Sequence, residues 1–330
     1  MAKLPITIAT WDYDRVRPIM DGRVQVEGCE VNYLPMPPEE CFHRAYFNGE
    51  FEVSEIGLSP FLIALSRGTA PYTGIPVFLS RMFRHSAIYV RTDRGIERPE
   101  DLRGKKVGVP EFQMSAAMWA RGALQDDFGV RVDEMNWFQA GLENPGRRDK
   151  FPLNLPPGFP LAPLPGGKSL SEGLASGELD AVFSARAPSC YLNRTAPVRR
   201  LFEDYETVEK DYYRRTGIFP IMHGLGVRND VHAKHPWLAY SLYKAYCEAN
   251  RIAQRDLFEV VALKIGLPWI ASQAEEARRL IGPDVWPYGV EANRTTLEAM
   301  TAYSFQQGLS VRKLAVEELF AASTLEETKV

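Results

Sequence analysis

Long apolar runs are missing from this 330-residue chain. No window reaches the roughly 18 consecutive apolar residues that a membrane-spanning helix needs. Cysteine is scarce: Cys29, Cys41, Cys190 and Cys247 lie scattered without C-x-x-C spacing, which argues against a disulfide framework and predicts reduced thiols. An excess of one charge is also absent. A net charge of −3 supplies no global pull toward nucleic acid or an acidic membrane, so anion recognition must be local. The N-terminal stretch MAKLPITIATWDYDRV has no apolar core of a secretory signal, which predicts a cytoplasmic protein. The Asn-x-Thr triplets at Asn193 and Asn293 then carry no glycan. No phosphate loop, dinucleotide fingerprint or HExxH motif occurs.

What is present is ordinary globular material, 45% hydrophobic and 25% charged, and long enough for one large or two medium domains. ITIATW (6–11), CEVNYLPM (29–36) and VSEIGL (53–58) read as strands. Between them, residues 37–51 read as a helix stopped near Asn48-Gly49. SPFLIALSRG (59–68) reads as a helix capped by Ser59. Such alternation predicts a mostly parallel sheet with covering helices. A second unit follows: a short helix near PEDL, a strand Lys106–Val109, a helix Ser115–Phe128 capped by Ser115, and a strand MNWFQAG. The Pro/Gly-rich stretch 151–169 must be loop or extended edge. A helix to Ser176 turns at Gly177 into a strand, Leu179–Ala185. GIFPIMHGLGVRNDV is extended and able to carry the chain back to the first unit, and the remainder reads as helices, VRKLAVEELFAA among them. The expected division is residues 1–88 with 220–330 in one lobe and 89–219 in the other.

EDLRGKKVGVP before a helix, followed later by LASGELDAVFSA, resembles the second lobe of type II periplasmic-binding-protein folds. The resemblance implies an α/β fold of two lobes with a ligand cleft between them. ATWDYDRVRPIMDGRVQVEG, IPVFLSRMFRHSAIYVR, GKKVGVPEFQMSAAMWARG and GELDAVFSARAPS together resemble the 4,5-dihydroxyphthalate decarboxylase family along essentially the whole chain. That likeness implies removal of one carboxylate from a catechol dicarboxylate to give protocatechuate and CO2. A non-catalytic binding protein for a small aromatic carboxylate is the alternative, and a binding-protein-fold enzyme with other small-molecule chemistry is a third reading.

The candidate site residues follow from charge and position. SRMFRHSAIYVR gathers Arg81, Arg84 and His85 around Phe83 at what reads as the mouth of a strand. Guanidinium groups bind carboxylates with paired donors, and Phe83 would supply an apolar wall. A solvated loop is the bland alternative. Alternation along a strand keeps all three from pointing one way. Glu111, Phe112 and Gln113 stand between a strand end and a helix start, where free N–H groups favour an anion. Glu111 beside an anionic substrate must be paired or protonated, and a protonated carboxyl is a proton donor. Trp11, Asp12 and Tyr13 follow the first strand, where ligands bind in open α/β sheets. A ring there would stack on the substrate. Asp12 would accept a catechol proton or, with Asp14, cap the next helix. Arg186 lies beyond a second-lobe strand and would clamp a carboxylate. His223, between residues that allow an extended backbone, is either a satisfied partly buried side chain or an acid in reserve.

Direct loss of CO2 from a benzene ring would leave an sp² carbanion that the π system cannot spread. A hydroxyl para to the leaving carboxylate avoids this. Its partial ionisation enriches the ipso carbon, an acid protonates that carbon, and CO2 departs from a quinoid intermediate. No organic cofactor is therefore expected. A divalent metal held by His85, Glu111 and His223 stays open, because spacing does not report distance. The expected assignment is His85 as acid, Arg81, Arg84 and Arg186 as clamps, and Asp12 or Glu111 as catechol partner. The partner is a small aromatic dicarboxylate, not nucleic acid or membrane, with homo-oligomerisation left open.

Overall fold

The computed structural model describes residues 2–147 and 149–325. Its strands are β1 (Leu4–Thr10), β2 (Cys29–Pro35), β3 (Val53–Gly57), β4 (Tyr72–Arg81), β5 (Ile88–Arg91), β6 (Lys106–Val109), β7 (Asn136–Gln139), β8 (Leu161–Pro163), β9 (Ala181–Phe183), β10 (Val198–Arg200) and β11 (Ile221–Arg228). They form two sheets, ordered β2-β1-β3-β11-β4 and β10-β5-β9-β6-β7-β8. The chain passes from the first sheet to the second between Arg81 and Ile88 and returns between Arg200 and Ile221.

In the first sheet β1 runs parallel to β2 and β3, with Ile8 opposite Tyr33 and Val53. The returning strand β11 lies antiparallel between β3 and β4. All five residues of β3 are buried, as expected of a central strand covered on both faces. In the second sheet β6 is parallel to β7 and β9, and the Pro-rich segment supplies β8 as an edge, where proline is tolerated. The helix Leu238–Asp256 packs on β4. Leu238, Leu242, Ala245, Tyr246, Ala249 and Ala253 are buried at helical spacing, as an amphipathic face requires.

Several local expectations change. Helix Leu58–Ser66 begins after Gly57, so Ser59 lies inside it rather than capping it. Met114 precedes helix Ser115–Phe128. Ser115 instead receives the Ser59 N–H at 3.1 Å and donates to the Met222 carbonyl at 3.1 Å, tying two helix starts to β11. Neither Asp12 nor Asp14 caps the helix Arg17–Met20; each pairs with a nearby arginine. The strand expected over 179–185 shortens to Ala181–Phe183. The VRKLAVEELFAA helix is replaced by two 3₁₀ turns, Val316–Leu319 and Ala322–Thr324, because the backbone there lies against β4 and bridges Phe320 to Gly74. A Cβ at Gly74 would stand 2.3 Å from the Leu319 carbonyl oxygen, so glycine permits that approach. β4 is not anticipated from the sequence, since Gly74 and Pro76 interrupt its apolar run.

Candidate functional site

The ladder between β11 and β4 is irregular on both sides of His223: Ile221 faces Arg81, His223 faces Ser80, and Leu225 faces Ile75. Bulges of this kind re-aim side chains. The skipped β4 carbonyls are not orphaned. Pro76 accepts from Gly289 N–H, Phe78 from the Trp286 indole at 2.8 Å, and Leu79 from the Arg15 guanidinium. On its other side His223 faces Gly57 of β3, two residues beyond Glu55. Diagonal neighbours on a sheet face reach one another. His223 Nδ1 lies 2.7 Å from Glu55 Oε1, and the Phe42 ring meets the imidazole edge-on at 4.8 Å. Glu55 is fully buried and also accepts from Trp11 N–H at 2.8 Å and Tyr13 O–H at 2.7 Å.

His223 opens onto a cavity of about 300 Å³ between the sheets. Gly57, Phe42 and Glu39 line it from the first sheet and its helices, Glu111, Lys150, Ala185 and Arg186 from the second, and Met82 and Arg84 from the connection between them. An adjoining cavity of about 420 Å³ shares Glu39, Met114, Ala185 and Arg186. Among the described residues the Arg84 guanidinium donates only to the Met222 sulfur, at 3.3 Å. Burial pulls its guanidinium down to about 10, which leaves it cationic at neutral pH. The Arg186 guanidinium has no hydrogen-bond or ion-pair partner among the described residues; only its backbone N–H bonds, to Ser184 Oγ. Two cations without a direct ion pair among the described residues thus face one cavity from different parts of the chain, although Glu209 acts on Arg84 from a distance. This is what a small dianion needs.

A second set of charges is already matched. Lys150 Nζ stands 2.8 Å from Glu111 and 3.3 Å from Glu39, and Arg147 bridges the same two carboxylates. Glu39 belongs to helix Pro38–Asn48 beside the first sheet, whereas Lys150, Arg147 and Glu111 accompany the second. The pairs to Glu39 therefore span the cleft. Burial pushes Glu39 up, but Lys150 and Arg147 more than offset it and the carboxyl ends below its ordinary value.

Of the residues expected from sequence, the structure brings Arg84, Glu111, Arg186 and His223 to this cavity. Glu111 meets its need for a partner by pairing with cations. The others lie elsewhere. Arg81 ends β4 and is buried, donating to the carbonyls of Phe219 and Pro287 and to Asn293. His85 begins a 3₁₀ turn, His85–Ala87, that leads directly into β5 but does not reach the cavity. The residue is 4% exposed, its ring edge-on to Phe202 and Tyr212, with neither nitrogen hydrogen-bonded among the described residues. Phe83 stacks on Phe219 at 4.9 Å. Phe112 is buried against Trp137, Phe159 and Arg121, and Gln113 bonds the Phe151 backbone. Asp12 pairs with Arg17 on the surface, and Trp11 is exposed. Tyr13 does not line the cavity and touches the site through its bond to Glu55. His85, Glu111 and His223 do not converge, and no group of three His, Cys, Asp or Glu side chains suited to a metal occurs among the described residues. Glu55, Glu39, Arg147 and Lys150 were not anticipated. A glutamate inside the apolar run VSEIGL is the one local signal that could have flagged Glu55.

Two sheets joined by two crossings, with a charged cavity between them, define a type II periplasmic-binding-protein-like fold. Solved structures agree. The chain is similar to the periplasmic aliphatic sulphonate binding protein SsuA from Escherichia coli (TM-score 0.52, 12% identity, 97% of this chain and 98% of that one). It is also similar to protein AF1704 from Archaeoglobus fulgidus (TM-score 0.52, 14% identity, 92% and 98% covered). Sequence relatives are nearer. A 4,5-dihydroxyphthalate decarboxylase from Comamonas testosteroni is 42% identical over 330 residues, all of both chains. Another from Pseudomonas putida is 42% identical over 214 residues, 65% of this chain and 83% of that protein. No family model matches the chain. The chain belongs to the 4,5-dihydroxyphthalate decarboxylase family.

Proposed function

We propose that this protein removes one carboxylate from 4,5-dihydroxyphthalate, or a close hydroxylated aromatic diacid, giving protocatechuate and CO2. The observation that carries this reading is the end-to-end 42% identity with the Comamonas testosteroni decarboxylase. The cavity supports it with Arg84 and Arg186, neither in a direct ion pair among the described residues, as cations for the two carboxylates. Each shielded hydrogen bond to a charged group contributes roughly 1.5–3 kcal/mol. His223, rather than His85, takes the acid role, because it lines the cavity. Glu111 is the catechol partner, and Lys150 beside it stabilises negative charge as the para oxygen ionises. The imidazolium N–H bond breaks as a C–H bond forms at the ipso carbon. The carbon–carboxylate bond then breaks, CO2 leaves and the ring regains aromaticity. The ring is its own electron sink, so we propose no organic cofactor. All four cysteines are unpaired, which suits a reducing cytoplasm. No helix among the described residues is long and apolar enough to cross a membrane.

The test is to incubate purified, chelator-treated protein with 4,5-dihydroxyphthalate and follow CO2 with the aromatic product. One CO2 per protocatechuate establishes the reaction. Activity only after metal addition would replace the metal-free mechanism. Tight binding without turnover under both conditions would favour the non-catalytic binding protein that the sulphonate-binding fold neighbour suggests by architecture.

A further inference from the structure

We infer that Glu55 is the positioning residue of a one-proton relay whose reacting end is His223 Nε2; the chemistry rests on the decarboxylase reading, the geometry does not. Glu55 has no measurable exposure and no lysine or arginine within ion-pairing distance among the described residues. A buried carboxylate without donors would be severely destabilising. It has three: Trp11 N–H on Oε2, and Tyr13 O–H and His223 Nδ1 on Oε1.

Those donors are not equivalent. A main-chain N–H does not titrate. Burial, reinforced by the Glu55 charge, holds the Tyr13 phenol far above its ordinary range, so it stays a neutral donor. The other titratable groups packed around Glu55 are also pinned. Burial raises the Tyr33 and Tyr246 phenols, and pushes the Cys41 thiol up to about 12. On the cavity side His223 is faced by Glu39, Arg84, Glu111 and Lys150, of which both carboxylates are ion-paired. Of the groups that bond Glu55, only His223 has a second polar atom directed at the cavity. With Glu55 accepting from every neighbour, Nδ1 must keep its hydrogen. The variable proton sits on Nε2, which has no partner among the described residues.

The neutral ring thus offers the cavity a lone pair and the protonated ring offers it an N–H. Glu55 selects that tautomer, stabilises the cation and fixes the ring plane. After Nε2 gives its proton to the ipso carbon, neutral His223 is reloaded from solvent.

The test uses the intact protein labelled with ¹⁵N-histidine and titrated by NMR without substrate, beside Glu55→Gln and Tyr13→Phe. Removing the negative charge makes the cation harder to hold, so Glu55→Gln moves the His223 midpoint down by about one pH unit or more. Tyr13→Phe removes a donor from Glu55, leaves the carboxylate more basic, and moves the midpoint up. A packing role alone would not produce shifts of opposite sign. In turnover, Glu55→Gln lowers kcat by roughly 10²- to 10⁴-fold with KM changed only a few-fold. Unchanged midpoints, or shifts of the same sign in both variants, overturn the relay. If Glu55→Gln does not fold, an unmoved or lowered midpoint in Tyr13→Phe alone overturns it. Opposite shifts in a protein that releases no CO2 sustain the relay and reject only the decarboxylation.

Discussion

Two histidines in this protein stand beside a glutamate, and their surroundings give them opposite chemistry. His223 and Glu55 share a 2.7 Å hydrogen bond at a bulge in the first sheet, and the free ring nitrogen is left to a charged cavity. His85 and Glu209 sit at the crossing between sheets, 4.0 Å apart. The ring lies against Phe202 and Tyr212, while Glu209 accepts the Ser86 N–H at 3.1 Å. Burial pulls His85 down to about 4, so it stays neutral at working pH. The pairing of residue types carries no function by itself. Function follows from whether the second ring nitrogen reaches a cavity or a wall of aromatic rings.

The sharpest way to break this contrast is to remove each imidazole. His223→Gln is expected to lower the single-turnover rate by roughly 10²- to 10⁴-fold while substrate binding persists, measured by rapid quench and calorimetry. His85→Phe should leave the rate within a few-fold. A large loss there, in a folded variant, would return the acid role to the crossing.

Acid stability separates the pair next. A histidine held at about 4 against an ordinary 6.5 binds fewer protons folded than unfolded between those values. Its effect is therefore a loss of stability as pH falls from about 6.5 to 4, amounting to about 3 kcal/mol in all. Burial raises Glu209, which works in the other direction, so the wild type must be compared with His85→Phe. Denaturant melts across that window should fall less steeply in the variant. Equal slopes would contradict a buried neutral His85.

Arg84→Met and Arg186→Met should each weaken substrate binding by roughly 10- to 100-fold, whereas benzoate, with one carboxylate, should lose less than the diacid. Equal losses for both ligands would mean that the two arginines do not divide the carboxylates between them. The smallest effect belongs to the ion pairs across the cleft. Glu39 is half exposed, so Glu39→Gln should raise KM by no more than about 5-fold, and the difference should shrink at high salt.

Much of the scaffold was legible because it depends on local signals. Helix Ser115–Phe128, strand Lys106–Val109 and the stop at Gly49, in a left-handed conformation with φ of 57°, all follow from short-range patterning. The site was legible in part. Arg84, Glu111, Arg186 and His223 were recognisable as charged residues beside extended segments. Yet Arg81 and Arg84 look alike in sequence, and only their neighbours differ: Arg81 finds the Phe219 and Pro287 carbonyls and Asn293, while Arg84 finds a thioether.

By itself, the sequence determined the alternation of strands and helices, the return of the chain through β11 and the family to which it belongs, because periodicity, turn residues and long matched segments are written along the chain. Only the tertiary structure decided that His223 rather than His85 meets the cavity, that Glu55 lies beneath it, and that Lys150 and Arg147 join Glu39 to Glu111 across the cleft. Those outcomes depend on a bulge opposite Ser80 and on pairings between residues as far as 168 positions apart, which no local pattern encodes.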